Sequence, residues 1–324
     1  MNRRDFVILV GGVASAFTCA NGLAAKVMAR IGLLALALPK DLQLPDLLTP
    51  ALNALGWREG ETCQIEARSA NGDIASLPRL AAELVALRPD ILIGIGSGET
   101  KALQSATSEI PILFVMSSDP VGYGLVDSIA RPGRNTTGTS ITPQILWGKR
   151  LELTAELLGH QPTKVAWIGN PDEVSAKRNL AVLMQSAEKL GVKVERLEVR
   201  KPHDLDRVFV TATGCEAILV QFVTLTLTYR RQIAELAILH RLPSIYEVRD
   251  YVDAGGLISY GTDTKENFRL TARYVDRILK GDRPRDLPVI EASRFELVIN
   301  IKTAKSLSLT VPPTLLARAD EVIE

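Results

Sequence analysis

Short apolar runs alternate with amphipathic stretches along most of this chain. Residues 90–94 and 112–116 are two such runs, each ending in a small polar loop, and residues 99–108 between them have a helical pattern. Apolar runs of this length that alternate with helices are typical of parallel strands buried on both faces. Since ligands of such sheets bind beyond the carboxyl ends of the strands, these loops predict one side of a binding cleft.

The order of these predicted elements occurs twice. Apolar runs near residues 31, 65, 92 and 113 are matched by runs near residues 165, 194, 219 and 245, at offsets of 127 to 134 residues. A repeat of this length indicates a duplicated α/β unit rather than a short solenoid repeat. The pattern therefore predicts an α/β fold with two similar lobes joined by a multi-crossover hinge, and a small-molecule site between the lobes.

The last third of the chain is expected to return to the first lobe before it ends in the second. A predicted strand near residues 256–260 precedes a helical pattern over residues 265–279, and an extended apolar segment follows. The predicted lobes are residues 30–142 plus 263–286, and residues 143–262 plus 287–324. A hinge made of several crossovers allows the lobes to bend toward each other without unfolding.

The first 25 residues have the composition of an export signal. Arg3 and Arg4 precede an apolar run over residues 6–17, and small residues follow at residues 21–25. This is the order of charged, apolar and cleavage regions in a signal peptide, and the paired arginines are typical of the twin-arginine route. The alternative is a membrane anchor, but about 12 apolar residues fall short of the ~20 that a span needs. The sequence therefore predicts a periplasmic protein.

Composition narrows the range of functions. The 324 residues include 38 basic and 37 acidic side chains, a formal net charge of +1, so no basic surface for nucleic acid is predicted. The three cysteines lack the spacing of metal ligands, and the three histidines have no nucleophile nearby in the sequence. No phosphate loop or nucleophile elbow occurs either. We therefore predict no catalytic residue, no metal site and no cofactor.

Candidate ligand residues of the first lobe lie in the two polar loops. Ser97 stands at a helix start, where its hydroxyl and the free N–H groups suit a ligand carboxylate, although it is equally suited to cap that helix. Ser118 and Asp119 follow the next strand, and Asp119 is placed to pair with a ligand ammonium. The alternative for Asp119 is a Ser-Asp-Pro turn in which the carboxylate binds its own backbone.

Candidates of the second lobe occupy the matching strand ends. Asn170 follows one strand and Ser175 lies near the next helix start, while Gln221 and Tyr246 end two further strands. Tyr246 is suited either to contact a ligand through its ring and hydroxyl or to fill the core. Asp263 completes the set, at the predicted return to the first lobe.

Several longer motifs resemble those of a known family. They are Gly96-Ser97, SDPV at 118–121, NTTG at 135–138, AGGLISYG at 254–261 and FELVIN at 295–300. In their order and in their residues they resemble the substrate-binding proteins of ABC transporters, in the branch that includes tryptophan- and tyrosine-binding members. The resemblance covers nearly the whole chain. It implies a type I periplasmic-binding fold with two Rossmann-like lobes and three crossovers, which closes on its ligand.

The same resemblance implies a function. We expect an extracytoplasmic protein that captures a small amino-acid-like or aromatic carboxylate and delivers it to an ABC permease and its ATPase, acting as a monomer. Two alternatives stay open at this point: a ligand-sensing two-lobe protein and an exported α/β enzyme. The sensor would need a DNA-binding head, and an export signal stands in its place.

Overall fold

The computed structural model describes residues 28–36, 44–141, 143–173, 176–291 and 294–324 of the chain. The predicted export signal over residues 1–25 and the candidate ligand residue Ser175 lie outside these described residues. Within them, no helix is long and apolar enough to span a membrane.

The strands form two separate sheets. In chain order they are β1 (Ala29–Ala35), β2 (Cys63–Ser69), β3 (Ile91–Ile95), β4 (Ile112–Ser117), β5 (Thr136–Ser140), β6 (Lys164–Gly169), β7 (Lys193–Glu198), β8 (Ala217–Val220), β9 (Ser244–Tyr246), β10 (Ile258–Thr262), β11 (Ile290–Glu291), β12 (Phe295–Asn300) and β13 (Glu321–Ile323). The first sheet has the order β11-β5-β4-β3-β1-β2, and the second has the order β13-β12-β10-β9-β8-β6-β7.

Helices follow most strands and cover both sheets. They are α1 (Leu44–Ala54), α2 (Leu77–Ala86), α3 (Ser97–Ala106), α4 (Pro143–Leu158), α5 (Ala176–Leu190), α6 (Asp204–Ala212), α7 (Thr224–Thr228), α8 (Arg230–Leu239), α9 (Asp250–Asp253), α10 (Thr264–Leu279), α11 (Ile301–Ser306) and α12 (Pro313–Leu316). Short 3-10 turns at Ile74–Ser76 and Pro284–Asp286 complete the order.

Pairing within the sheets is parallel, with one antiparallel exception. The neighbouring strands of the first sheet are all parallel, whereas β10 pairs with β12 antiparallel in the second sheet. The core strands are buried on both faces, as in Ile91–Ile95 and Ala217–Val220. This explains why the sequences of these strands are continuous apolar runs. The prediction of two α/β lobes with mostly parallel sheets is confirmed.

Strand pairing supports a lobe boundary a few residues beyond the predicted residue 286. Strand β11 pairs with β5, so Ile290 and Glu291 belong to the first sheet, and the chain enters the second sheet at β12. Two hydrogen bonds to the first lobe support this assignment. The Thr137 hydroxyl donates to the Leu287 carbonyl, and the Val289 N–H donates to the Ile129 carbonyl. The extended apolar segment after residue 287 therefore contributes β11 to the first sheet and then β12 to the second sheet. We propose a division into 30–142 plus 263–291, and 143–262 plus 294–324.

Helix α10 belongs to the first lobe although it follows a strand of the second. Its buried face includes Phe268, Ala272 and Val275, which pack in the same core cluster as the strands of the first sheet. The side chain of Asp263 starts this helix by accepting a hydrogen bond of 3.1 Å from the Glu266 N–H. Apolar residues at three- and four-residue spacing bury one helix face, which is the pattern that predicted α10.

Candidate functional site

The carboxyl-terminal edges of the two sheets face each other. Asp119 follows β4 in the first lobe, and its carboxylate forms an ion pair with Arg178 in the first turn of α5, which belongs to the second lobe. Helix α5 itself begins after the loop that leaves β6. The strand ends and helix starts of both lobes therefore border one cleft, where the sequence predicted it.

Hydroxyl groups of the first lobe bind one another along this edge. The Oγ atoms of Ser97 and Ser117 share a hydrogen bond of 2.8 Å, and Ser140 donates to the Ser117 carbonyl at 2.9 Å. The Thr100 hydroxyl donates a hydrogen bond to the Gly96 carbonyl at 2.6 Å. Gly96 has φ +108°, a conformation that favours glycine, and it turns the chain from β3 into α3. The hydroxyl of Ser97 is thus already partnered within its own lobe.

Asp119 has two structural partners. Its Oδ1 accepts a hydrogen bond of 3.0 Å from the Gly122 N–H, which is the turn predicted as the alternative to ligand contact. Its Oδ2 pairs with Arg178 of the other lobe. The neighbouring Ser118 hydroxyl lies 3.5 Å from the Tyr123 hydroxyl. The structure thus supports the turn and adds a contact between the lobes, and no described contact leaves the Asp119 carboxylate free for a ligand.

Asn170 and Asp263 are occupied by local hydrogen bonds as well. The Oδ1 atom of Asn170 accepts from the Asp172 N–H at 3.0 Å and so shapes the loop after β6. Asp263 caps α10. Side chains of this kind commonly stabilise turns and helix starts. Neither residue shows a described feature that requires a ligand.

Tyr246 lies in the core of the second lobe. Its ring stacks on that of Tyr251 with 4.7 Å between the centroids, and both rings are fully buried. Side chains alternate along β9, so Tyr246 and its neighbour Ile245 face opposite sides of the sheet. Tyr246 packs in the cluster with Phe209 and Val220, whereas Ile245 packs with Trp147 and Trp167. The structure favours the core alternative for this residue.

Gln221, like the hydroxyl of Tyr246, is a buried polar group of a predicted site residue that has no hydrogen-bond partner among the described residues. It is fully buried at the end of β8, and neither amide atom has a hydrogen-bond partner among the described residues. Its Oε1 lies over Gly169, where a Cβ atom would come within 2.4 Å of it and equally within 2.4 Å of the Trp167 ring. Only glycine leaves room at that position. Gln221 and Trp167 therefore meet above the last residue of β6.

The second lobe also contains a buried ion pair. Arg150 and Glu247 are 1% and 4% exposed, with 3.5 Å between Nη1 and Oε2. Arg150 donates its Nε–H to the Tyr260 carbonyl at 2.9 Å, and Glu247 accepts the Phe222 N–H at 2.7 Å. Burial raises the pKa of Glu247 and lowers that of Arg150, and each charge partly offsets this effect on the other.

Two tryptophans complete what we call the second-lobe polar layer, namely Trp147, Arg150, Trp167, Gln221 and Glu247. The guanidinium carbon of Arg150 lies 4.7 Å from the centre of the Trp147 ring. Among the described residues, Trp147 Nε1 and Trp167 Nε1 have no acceptor, and Arg150 Nη1 has only its ion-pair contact with Glu247. A buried donor left unpaired costs about 1–3 kcal/mol, so this concentration of donors marks a place where a further acceptor is needed.

Carboxyl groups also come from both lobes. Glu99, in the first turn of α3, is 4% exposed, and its Oε1 accepts the Leu36 N–H at 2.9 Å. Burial and the neighbouring Glu173 raise the pKa of Glu99 to about 8. Burial and Asp172 raise the pKa of Glu173, in the loop after β6, to about 7. The charge of Glu173, in the second lobe, thus acts on Glu99 in the first lobe.

Sequence reasoning placed Gln221 and Glu247 at strand ends but missed Trp147, Arg150 and Trp167. The signal for Arg150 was its position three residues after Trp147 and one before Leu151, which places it on the buried face of α4. An arginine on an apolar stripe predicts a buried partner, but the partner Glu247 lies 97 positions further along the chain. Glu99 had a weaker signal, since an acid in the first turn of a helix is common on its own.

The described residues contain no group of three or more histidine, cysteine or acidic side chains that is placed to hold a metal ion. The site is thus a cleft of hydroxyls, carboxyl groups and buried donors. Such a cleft is suited to hold a polar small molecule between two lobes.

Comparisons with known proteins agree with this architecture. Residues 44–323 match the model of a family described as ABC transporter substrate binding protein. A tyrosine-binding protein of Clostridioides difficile is 26% identical over 260 residues, which cover 80% of this chain and 74% of that protein.

Two solved structures have the same fold. One is a conserved domain protein of Vibrio cholerae, with a TM-score of 0.82, 29% identity and coverage of 91% of this chain and 99% of that one. The other is an ABC domain from Streptococcus pneumoniae in complex with L-tryptophan, with a TM-score of 0.83, 26% identity and coverage of 91% and 100%. The resemblance drawn from the sequence motifs is confirmed.

Proposed function

This chain belongs to the family of ABC transporter substrate-binding proteins, and we propose that it captures a small amino acid or aromatic carboxylate between its lobes. The observation that carries the proposal is the second-lobe polar layer, in which buried donors lack acceptors among the described residues. Its relatives support an aromatic amino acid, since one is a tyrosine-binding protein and another holds L-tryptophan. We propose that the chain binds its ligand without transforming it.

The chemistry of the polar layer favours an anionic ligand group. Trp167 and Gln221 present N–H donors without acceptors, and Arg150 adds a guanidinium that is paired with Glu247. A carboxylate accepts several hydrogen bonds at once, and those to a charged donor are the strongest. We therefore place the ligand carboxylate at the second lobe. Because Gln221 is fully buried here, the lobes must part to admit the ligand.

The wider role follows from the family and the predicted export signal. We propose that the protein acts as a monomer outside the cytoplasm and delivers its ligand to a membrane permease powered by an ATPase. The periplasm and the twin-arginine route are part of the same proposal, since they rest on residues 1–25. The ion pair between Asp119 and Arg178 supports closure of the lobes on the ligand, because it joins them directly.

A thermal-shift screen of amino acids and aromatic acids tests this proposal. A ligand present at 100 times its Kd stabilises the folded protein by about 2.7 kcal/mol, which raises the midpoint of unfolding measurably. We expect a shift with L-tryptophan or L-tyrosine and a smaller radius of gyration in small-angle scattering when that ligand is added. If no amino or aromatic acid shifts the midpoint, this function is wrong.

A further inference from the structure

We propose that Arg178 of the second lobe and Gly122 of the first lobe are positioning residues for ligand capture. The ion pair of Arg178 with Asp119 holds the closed lobes over the cleft, and Gly122 makes room for that pair. The inference rests on the proposed function and deepens it, because it names what retains the ligand once the lobes have met. Three observations carry it: a direct contact between the lobes, the space left by a glycine, and the exposure of the pair.

The first observation is the ion pair itself, which joins the two lobes. Oδ2 of Asp119, in the loop after β4, contacts Nη1 of Arg178, in the first turn of α5. In the second sheet, β6 leads into α5 and lies three strand spacings from β10, after which the chain crosses back to the first lobe. Three spacings are roughly 14 Å. The pair therefore spans the cleft away from that crossover, where bending moves the lobes apart.

The Asp119 carboxylate is oriented by its own loop. Its Oδ1 accepts a hydrogen bond of 3.0 Å from the Gly122 N–H, and its backbone carbonyl accepts the Tyr123 N–H at 3.0 Å. Both hydrogen bonds lie within the first lobe, so they do not require the second lobe. When the cleft opens, Asp119 therefore stays in place and the Arg178 side chain returns to water.

The second observation is the space at Gly122. A Cβ atom there would come within 2.5 Å of Arg178 Nη1 and closer still to Asp119 Oδ2. The backbone itself does not require a glycine, because Gly122 is not among the residues with positive φ, whereas Gly124 has φ +64°. Both clashing atoms are the ends of flexible side chains. An alanine at residue 122 therefore displaces the ion pair and leaves the fold of the loop intact.

The third observation is the exposure of the pair, which sets its strength. The Asp119 side chain is 14% exposed and that of Arg178 is 50% exposed. An ion pair of this kind changes an equilibrium by up to about fivefold, and salt weakens it. The pair thus favours the closed form without preventing the lobes from opening. A protein that must release its ligand requires a contact of this modest strength.

The pair acts after the ligand has entered the cleft. It forms only when the lobes meet, so it contributes little to the first encounter with the ligand. Loss of the pair should therefore raise the rate of ligand release and leave the rate of association nearly unchanged.

Pulsed electron–electron resonance on the free full chain tests the inference without any ligand. Spin labels are placed at Ser105→Cys in α3 and Gln185→Cys in α5, two exposed positions on different lobes, with Cys19→Ser. The two other cysteines are buried. At low salt we expect a closed and an open distance, with a closed-to-open ratio about two- to fivefold lower in Arg178→Gln. Equal ratios with and without Arg178→Gln, or a protein with the open distance alone, would overturn the inference.

Gly122→Ala tests the space apart from the charges. It keeps both charged side chains, and it should lower the closed-to-open ratio as much as Arg178→Gln does. The matched control is Gly214→Ala on the second lobe, where a Cβ atom meets only Lys164 Nζ, at 4.0 Å. This control should leave the ratio unchanged. A ratio that Gly122→Ala does not lower would overturn the role of Gly122.

Charge and salt separate an ion pair from simple packing of the Arg178 side chain. Arg178→Lys keeps the positive charge and should restore most of the ratio that Arg178→Gln loses at low salt. At 1 M salt, where the Debye length is about 3 Å, wild type and Arg178→Gln should have the same ratio. A difference that persists at 1 M salt, or no restoration in Arg178→Lys, would overturn the ion pair as the cause.

Stopped-flow kinetics with L-tryptophan add the link to binding. Arg178→Gln and Gly122→Ala should each raise koff about two- to fivefold and change kon less than about twofold. If Arg178→Gln instead abolishes binding, Arg178 contacts the ligand directly and the inference is wrong. Should L-tryptophan fail to bind the wild-type protein, the proposed function weakens while the distance measurement still decides the inference.

Discussion

The two edges of the cleft are built in opposite ways. On the first lobe, the polar groups partner one another, as Ser97 does with Ser117 and Asp119 does with the Gly122 N–H. On the second lobe, Gln221 and Trp167 are fully buried, and their side-chain polar atoms lack partners among the described residues. One edge is complete without a ligand, and the other is not.

This difference shows where recognition is to be expected. A polar group that is already hydrogen-bonded gains little from a ligand, because a new bond must replace an old one. A buried donor without an acceptor gains the full bond. We therefore propose that the donors of the second lobe, rather than the serine at the start of α3, bind the ligand carboxylate. Substitutions on the two edges should accordingly have unequal effects.

The largest effect is expected from Arg150→Met, which leaves Glu247 buried without its cation. Breaking a buried ion pair by removing one partner typically costs about 3–5 kcal/mol. The Tyr260 carbonyl also loses its donor. Urea unfolding should show this loss as a large fall of the midpoint in the free protein.

The double variant Arg150→Met, Glu247→Gln is the matched control. It removes both charges, so it should lose less stability than Arg150→Met alone. If the double variant is instead less stable by the sum of the two single losses, the pair has no coupling and the second-lobe polar layer is not one unit.

A smaller effect, on binding rather than folding, is expected from Gln221→Leu. This change removes an amide whose atoms have no described protein partner, so the stability of the free protein should stay constant or rise. Loss of a hydrogen bond to a ligand carboxylate should weaken affinity about ten- to hundredfold. Calorimetry with L-tryptophan measures this, with the exposed Gln185→Leu as control. An unchanged affinity would mean that Gln221 is a structural residue.

The smallest effect is expected from Ser97→Ala on the other edge. It removes the hydrogen bond to Ser117 and leaves that buried hydroxyl without it, at a cost of about 1 kcal/mol in stability. Affinity should fall less than about threefold, which corresponds to well under 1 kcal/mol. Ser105→Ala, on the exposed face of the same helix, provides the control. If Ser97→Ala loses more affinity than Gln221→Leu, the first lobe rather than the second lobe recognises the ligand.

Most of the fold was predictable because it depends on local patterns. The apolar runs near residues 92 and 219 became β3 and β8, since fully buried parallel strands have apolar side chains on both faces. The short β11 was missed because two residues carry no periodicity, and only their pairing with β5 assigns them to the first sheet. Pattern alone could not divide the extended segment after residue 287.

The site was predictable only in part, for a different reason. Strand ends could be located, so Ser97, Asp119 and Gln221 were found, but their partners could not. Whether a hydroxyl is satisfied depends on contacts such as Ser97 with Ser117, twenty residues apart, or Arg150 with Glu247, 97 apart. Such contacts are set by the packing of strands and helices rather than by spacing in the sequence.

Isothermal titration calorimetry of L-tryptophan and L-tyrosine into the wild-type protein and Gln221→Leu tests whether the second lobe recognises the ligand. The expected result is that at least one of the two amino acids binds the wild-type protein with one molecule per chain. We also expect that Gln221→Leu weakens this binding at least about tenfold, while Ser97→Ala changes it less than about threefold. Binding of neither amino acid, or equal losses in the two variants, would contradict the claim that the second lobe recognises an amino-acid ligand in this cleft.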